Sequence, residues 1–278
     1  MEPITDYIRL WRQLAEARKD PHAPEPTTIN AGEGDAWRER ARQFHERVLR
    51  RWARPDSSRD YVQSQVDGDT TVLDIGAGTG SWTLLLAQKA RHVTAVDPSR
   101  AMLEVLQENV ASWELDNVSV VYGGWPDAVV EPHDVTLCAH AMYGYPDFPH
   151  FVRRILDVTR RRVCLLVRMP LPDGVMADAA MRVWGQPHDS PNGTIAYNAL
   201  VQMGIFPDVL MENTGAWGEW KNASIEEALD ETKRKLGLHG PSEHDDYLRG
   251  LLTERLTWDG GQFVWPPSMR SALITWTV

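Results

Sequence analysis

The chain has 278 residues, of which 29 are Lys or Arg and 39 are Asp or Glu, for a net charge of −10. That length suits one large α/β domain, alone or with an appendage, and the acid excess lacks the general basic footprint of a nucleic-acid binder. No stretch approaches the roughly 18 consecutive apolar residues of a membrane helix, and no CxxC or HExxH cluster offers ligands to a metal.

The start, MEPITDYIRLW, has no apolar signal region. Cys138 and Cys164 both lie inside apolar runs, as buried thiols of a reducing compartment do. A cytoplasmic location is therefore expected. Thr5 to about Lys19 reads as a helix, followed by the Pro-rich connector PHAPEPTT. WRERARQFHERVLRRWAR (37–54) places Trp37, Ala41, Phe44, Val48 and Trp52 at helical spacing with arginines around them. Its basic face reads as solvated, with a polyanion contact as the alternative. Residues 1–60 form an expected N-terminal helical cap, and residues 61–278 the main α/β domain.

From residue 71 the texture changes. TVLDIG leads through three glycines into the helical pattern SWTLLLAQKA; HVTAVD is a strand, PSRAMLEVLQENVASW a helix and VSVVYG a strand. HDVTLCAHA is a fourth strand, PHFVRRILDVTR a helix and RVCLLVRM a fifth strand. Strands alternating with helices predict a doubly wound, mostly parallel sheet. Beyond residue 170, DGVMADAAMRVW and TIAYNALVQMG read as helices, and FPDVLMENT as a sixth strand. Ser224-Ile-Glu-Glu227 has capping-box form and opens a helix ending near Gly237, and another covers roughly 243–253. These helices form an expected lid segment over about 171–255; GQFVW and SALITWTV end the chain, the last as a strand near the sheet edge.

The glycines carry the first functional signal. Gly76-Ala77-Gly78-Thr79-Gly80 follows a strand and opens a helix, so its amides face a ligand at the carboxyl end of the sheet. A dinucleotide fingerprint would need Ser81 as its third small residue. Asp74 instead puts negative charge where a diphosphate is repelled and a sulfonium or ammonium is welcome. Asp97 ends the next strand, 21 residues after Gly76, where a carboxylate can take both ribose hydroxyls; capping the following helix is its other reading.

In VLDIGAGTG (72–80), TAVDPS (94–99) and HDVTLCAHAMYGYPD (133–147) the chain resembles class I S-adenosylmethionine-dependent methyltransferases, of the group that includes ubiquinone-biosynthesis-like small-molecule enzymes. The resemblance implies S-adenosyl-L-methionine as cofactor and in-line methyl transfer to a small molecule. Protein or RNA methylation and a non-catalytic binding module are the alternatives. It implies that Asp74, Gly76, Ala77, Gly78 and Gly80 cradle the methionine part, and that Asp97, Pro98 and Met102 lie along the ribose and adenosine. The family's usual acid after the third strand is replaced by Gly124, leaving Trp125 to stack on adenine or to pack in the core. His140, Tyr143 and Tyr145 follow the fourth strand, whose end faces the methyl group in this architecture. His140 is a candidate general base or cofactor contact, or simply shapes the strand end; the tyrosines line the acceptor pocket or pack beneath a lid. The many tryptophans outside the centre, Trp184 and Trp217 among them, either form an aromatic acceptor pocket or knit the added helices to the sheet.

Overall fold

A computed structural model describes residues 5–17, 37, 40–171, 173–212 and 220–278. The connector PHAPEPTT, Lys19 and Trp217 lie outside the described residues. Three helices come first: α1 (Tyr7–Ala17), α2 (Ala41–Trp52) and α3 (Ser57–Ser64). The alternating part follows as β1 (Thr71–Ile75), α4 (Thr83–Ala87), β2 (His92–Asp97), α5 (Arg100–Ser112), β3 (Val118–Tyr122), β4 (His133–Ala139), α6 (Phe148–Asp157) and β5 (Thr159–Pro170). Then come α7 (Val175–Trp184), α8 (Gly193–Gln202), β6 (Asp208–Met211), β7 (Lys221–Asn222), α9 (Ile225–Lys235) and α10 (Asp245–Arg255). The chain ends through β8 (Thr257–Asp259), β9 (Gln262–Val264) and β10 (Met269–Thr277).

Seven strands form one sheet in the order β3-β2-β1-β4-β5-β10-β6. β1 to β5 run parallel, and β10 runs antiparallel to both β5 and β6. The last strand is thus not the edge itself: it slots between β5 and β6, and β6 forms the edge. All five residues of β1 are buried, because helices cover both faces of the sheet and each face needs its own apolar set. On one face Leu73, Ile75, Leu165 and Ile274 join Phe148, Ile155 and Ile195 from α6 and α8, with Trp11 of α1. On the other, Val72, Val93 and Leu137 meet Val62 of α3 and Leu86 of α4. Each such side chain contributes roughly 1.5–3 kcal/mol by leaving water, so the sheet centre is the rigid frame on which the site sits.

The segment 171–255 divides between two cores. α7, α9 and α10 share a satellite core with Trp265, and a three-stranded sheet ordered β7-β9-β8 closes it. α8 and β6 instead belong to the main sheet layer, so the expected continuous helical lid is interrupted there. The physical reason is periodicity: Ile195, Ala196, Ala199 and Leu200 make an apolar face that packs under β5 and β10. Ser224 caps α9 as its motif predicts, its Oγ accepting from Glu227 N at 3.1 Å, while Glu227 Oε2 accepts from Ala223 N at 2.6 Å, one residue before the cap. α4 is shorter than its sequence pattern. Its last carbonyl, Ala87 O, and Ala90 O just beyond the helix each accept from Asn117 at 2.8 Å. Helix α3 has no counterpart in the sequence reading, although Asp56 caps it by accepting from Arg59 N at 2.9 Å.

The strand order reverses between β1 and β4. Their carboxyl ends therefore diverge into a crevice, the place where open α/β sheets bind ligands.

Candidate cofactor and acceptor site

The glycine loop leaves β1 at that crevice. Gly76, Gly78 and Gly80 all have positive φ, at 72°, 56° and 91°, a region that residues with a Cβ enter only at a cost. At Gly76 the restriction is also spatial, since an added Cβ would collide with Ala141 Cβ beyond β4. The loop is tied down by Gly76 N and Ala77 N, which donate to Val96 O at 2.8 and 3.0 Å. Ala77 packs its methyl against Ala95, Leu103 and Leu106, so only its backbone is available to a ligand.

Asp97 stands at the end of β2 and is buried. Its Oδ2 accepts from Gly78 N at 2.9 Å and its Oδ1 from Ser99 N at 2.8 Å. Asp97 is not the cap of α5. Ser99 is, accepting from Met102 N at 3.1 Å, and Pro98 lies before the cap rather than inside the helix. The geometry thus binds the acid to the glycine loop.

Asp74 is fully enclosed beneath the loop, where Thr83 Oγ1 donates to its Oδ2 at 2.7 Å. Burial raises its pKa to about 6; the Thr83 bonds oppose this, and the nearby Asp97 adds to the rise. A negative charge held at such cost is drawn to a cation.

Met102 is buried with Ala41 and Val105, against Phe44 of α2. Gly124 has no neighbouring atom within 4 Å of where a Cβ would stand, so the space after β3 is open. Trp125 is turned toward α6. Its Nε1 donates to Phe151 O at 3.2 Å and its ring meets Phe151 edge-on, with centroids 6.4 Å apart. These are the packing contacts of the core alternative.

His140 and Tyr143 come together; Tyr145 does not join them. His140 takes φ +58° directly after β4, a conformation uncommon for a residue with a side chain. Its Nδ1 lies 2.9 Å from Tyr143 Oη, and that same oxygen accepts from Arg168 N at 2.7 Å. The other ring nitrogen, His140 Nε2, lies 3.5 Å from Ser271 Oγ. Arg168 Cζ lies 4.0 Å from the centre of the Tyr143 ring. Burial, then Arg51 and Arg168, lower the pKa of His140 to about 3. A ring so depressed is neutral near pH 7 and a poor proton acceptor. Tyr145 Oη instead lies 2.9 Å from His150 Nδ1, and its carbonyl accepts from Trp11 Nε1 at 2.9 Å.

The described tryptophans are chiefly structural. Trp11 packs on Phe148 at 4.4 Å, Trp220 stacks on Trp265 at 4.0 Å, and Trp184 bridges the main and satellite cores. The sequence reading missed Thr83, Arg168, Ser271 and the α2 residues Phe44 and His45 at this end of the sheet. Arg168 had a visible signal, a cation near the end of an otherwise apolar strand. A cavity of about 330 Å³ between Arg162, Phe206 and Trp276 lies at the opposite end of the sheet, away from these groups.

Residues 72–162 match the family model described as a methyltransferase domain. A demethylmenaquinone methyltransferase of Shouchella clausii is 30% identical over 119 residues, 39% of this chain and 49% of that protein. A ribosomal protein L11 methyltransferase of Clostridium perfringens is 36% identical over 77 residues, 27% of this chain and 25% of that protein. The chain thus spans half or less of the length of these curated relatives. Among solved structures, the YcgJ protein of Bacillus subtilis aligns with TM-score 0.52 at 16% identity, over 79% of this chain and 97% of its own. Protein BH2331 of Bacillus halodurans C-125 aligns with TM-score 0.51 at 14% identity, over 78% and 97%. At such identities these two show the fold. Residues 72–162 carry the likeness to the methyltransferase domain that the family model describes.

Proposed function

We propose that the chain is a methyltransferase that uses S-adenosylmethionine to methylate a small molecule. The observation that carries this reading is the Asp97 carboxylate, buried at the end of β2 at the sheet's switch point and tied to the glycine loop through the amide of Gly78. The residues suit the cofactor: a glycine cradle at positive φ for the methionine part, a buried acid for its ammonium and a carboxylate for its ribose. When bound, S-adenosylmethionine would supply a sulfonium-borne methyl group for in-line transfer to a lone pair of the acceptor, with the neutral thioether as leaving group.

The chain's own task is then alignment and exclusion of water. Asp97 fixes the sugar and Asp74 neutralises positive charge. The neutral His140–Tyr143 pair, held by the Arg168 amide, shapes the wall where the acceptor meets the methyl group. His140 acts there as a fixed hydrogen-bonding group rather than a general base, because it is hydrogen-bonded to Tyr143 and its basicity is low. A proton released by the acceptor passes to solvent. The dominance of burial in depressing His140 supports an enclosed acceptor end, which suits a small molecule better than a protein surface. We also propose a cytoplasmic location, supported by two buried, unbridged cysteines.

A second reading, methylation of a protein, draws on the ribosomal protein L11 methyltransferase likeness and the arginines of α2. Incubating the protein with methyl-tritiated S-adenosylmethionine and fractionated extract separates the two. Label in the low-molecular-weight fraction is expected; label confined to protein or RNA would transfer the assignment to a macromolecular acceptor.

A further inference from the structure

Helix α2 lies over the glycine loop, and three observations describe how it is held there. The Phe44 ring packs over Gly78: a Cβ built on that glycine would meet Phe44 Cε1 at 3.8 Å. Ala41 and Phe44 also pack on Met102 and Val105 of α5. Beside them, Asn109 Nδ2 donates to Thr79 O at 3.0 Å and reaches His45 Nδ1 at 3.3 Å, while Thr79 Oγ1 lies 3.2 Å from the same nitrogen. A further link is a two-pronged ion pair from Arg42 to Glu108 at 2.8 Å, both ends exposed, and such pairs hold little by themselves.

The Asn109 orientation follows from its partners, since a carbonyl oxygen must receive a donor. Its amide nitrogen therefore gives one hydrogen to Thr79 O and the other to His45. With that hydrogen facing Nδ1, the contact suits a neutral ring whose Nδ1 accepts and whose proton is on Nε2. Protonation would set N–H against N–H and unseat the helix.

We propose that Phe44 is a cofactor-contacting residue that roofs Gly78, and that His45 is the positioning residue seating it on the glycine loop through Thr79 and Asn109. The inference rests on the methyltransferase reading and adds to it a wall contributed from outside the α/β domain. Phe44 is only partly buried in this position, so its ring has surface left to share with a ligand lying on the loop.

A pH dependence follows. Burial lowers the pKa of seated His45 from 6.5. A histidine favoured as the neutral form contributes fully above the unseated value and is lost as pH falls below it. Lowering the pH from about 7.5 to about 5.5 thus weakens cofactor binding by up to about tenfold. The charged residues adjoining His45 on α2 are Glu46 and, one turn earlier, Arg42, which pairs with Glu108, the residue before Asn109 on α5. Asp74 titrates in the same window, so the readout is the difference between wild type and His45→Gln. That variant keeps an acceptor for Asn109 but has no titrating ring.

The test is calorimetric titration with S-adenosylhomocysteine from pH 5.5 to 7.5, with melting curves to confirm folding. We expect Phe44→Ala and His45→Ala to weaken binding about five- to twentyfold at pH 7.5. His45→Gln should bind within about threefold of wild type there and lose up to tenfold of the wild-type fall toward pH 5.5. Wild-type affinity in both alanine variants, or a wild-type pH profile in His45→Gln, would overturn the roof while leaving the methyltransferase reading intact. No binding to the wild type itself would overturn both.

Discussion

Asp74→Asn should make the free protein more stable and the cofactor bind less well. The side chain is wholly buried, and its pKa rises from 3.8 to about 6. The folded state therefore prefers the protonated acid. Below pH 3.8 the group is neutral in both states and carries no penalty. As pH rises through about 6 the native protein must hold the ionised form, and the interval converts to about 3 kcal/mol of lost stability at about 1.4 kcal/mol per pH unit. Asparagine removes that charge and still offers an oxygen to Thr83 Oγ1. Its amide hydrogens are left to find partners, which returns roughly 1–2 kcal/mol. A net gain of about 1–2 kcal/mol at pH 7.5 is expected in urea unfolding of the free protein, shrinking to nothing or reversing near pH 4. Calorimetry with S-adenosylhomocysteine should show the opposite sign, about ten- to a hundredfold weaker binding, because the counter-charge for the ligand's ammonium has gone. A variant no more stable than wild type at pH 7.5, binding the ligand equally well, would refute the reasoning on both sides.

Gly76→Ala forces a methyl into the space of Ala141 at φ +72°. It should cost about 2–4 kcal/mol in chemical unfolding; a loss under about 1 kcal/mol would mean the loop is not held against β4. Asp97→Ala removes the acceptor of two amides and of the proposed sugar contact, so S-adenosylhomocysteine affinity should fall about ten- to a hundredfold by calorimetry, and unchanged affinity excludes the ribose role. Tyr143→Phe strips the hydroxyl that joins Arg168 N to His140 Nδ1. It should lower thermal stability by roughly 1–3 kcal/mol and reduce turnover while leaving S-adenosylhomocysteine binding within about threefold of wild type; a large loss of that binding would place Tyr143 in the cofactor site instead.

The parallel half of the sheet was legible because strands covered on both faces must be apolar throughout, and TVLDI, HVTAVD and RVCLLVRM have that texture. The place of β10 was not. Its insertion depends on pairing Ser271 with Arg168 and Ala272 with Met211, partners about a hundred and about sixty residues away that no local period reports. In α2 the spacing of Ala41, Phe44 and Trp52 marked an apolar face, and the structure seats it on Met102, Gly78 and Trp113. What that face would cover was a question of tertiary packing. Asp97 could be found from its distance to the glycines. The left-handed backbone of His140 and the turn of Trp125 toward α6 could not, since neither residue type signals its conformation. Helix α3 was announced only by Asp56, a single capping residue in a polar stretch.

The most direct measurement is a crystal structure of the protein with S-adenosylhomocysteine. The account predicts the compound lying along the Gly76–Gly80 loop beside the Phe44 ring, its ribose hydroxyls on Asp97 and its amino group toward Asp74. A crevice that stays empty at saturating ligand, or one that takes the diphosphate of a nicotinamide dinucleotide in its place, would contradict it.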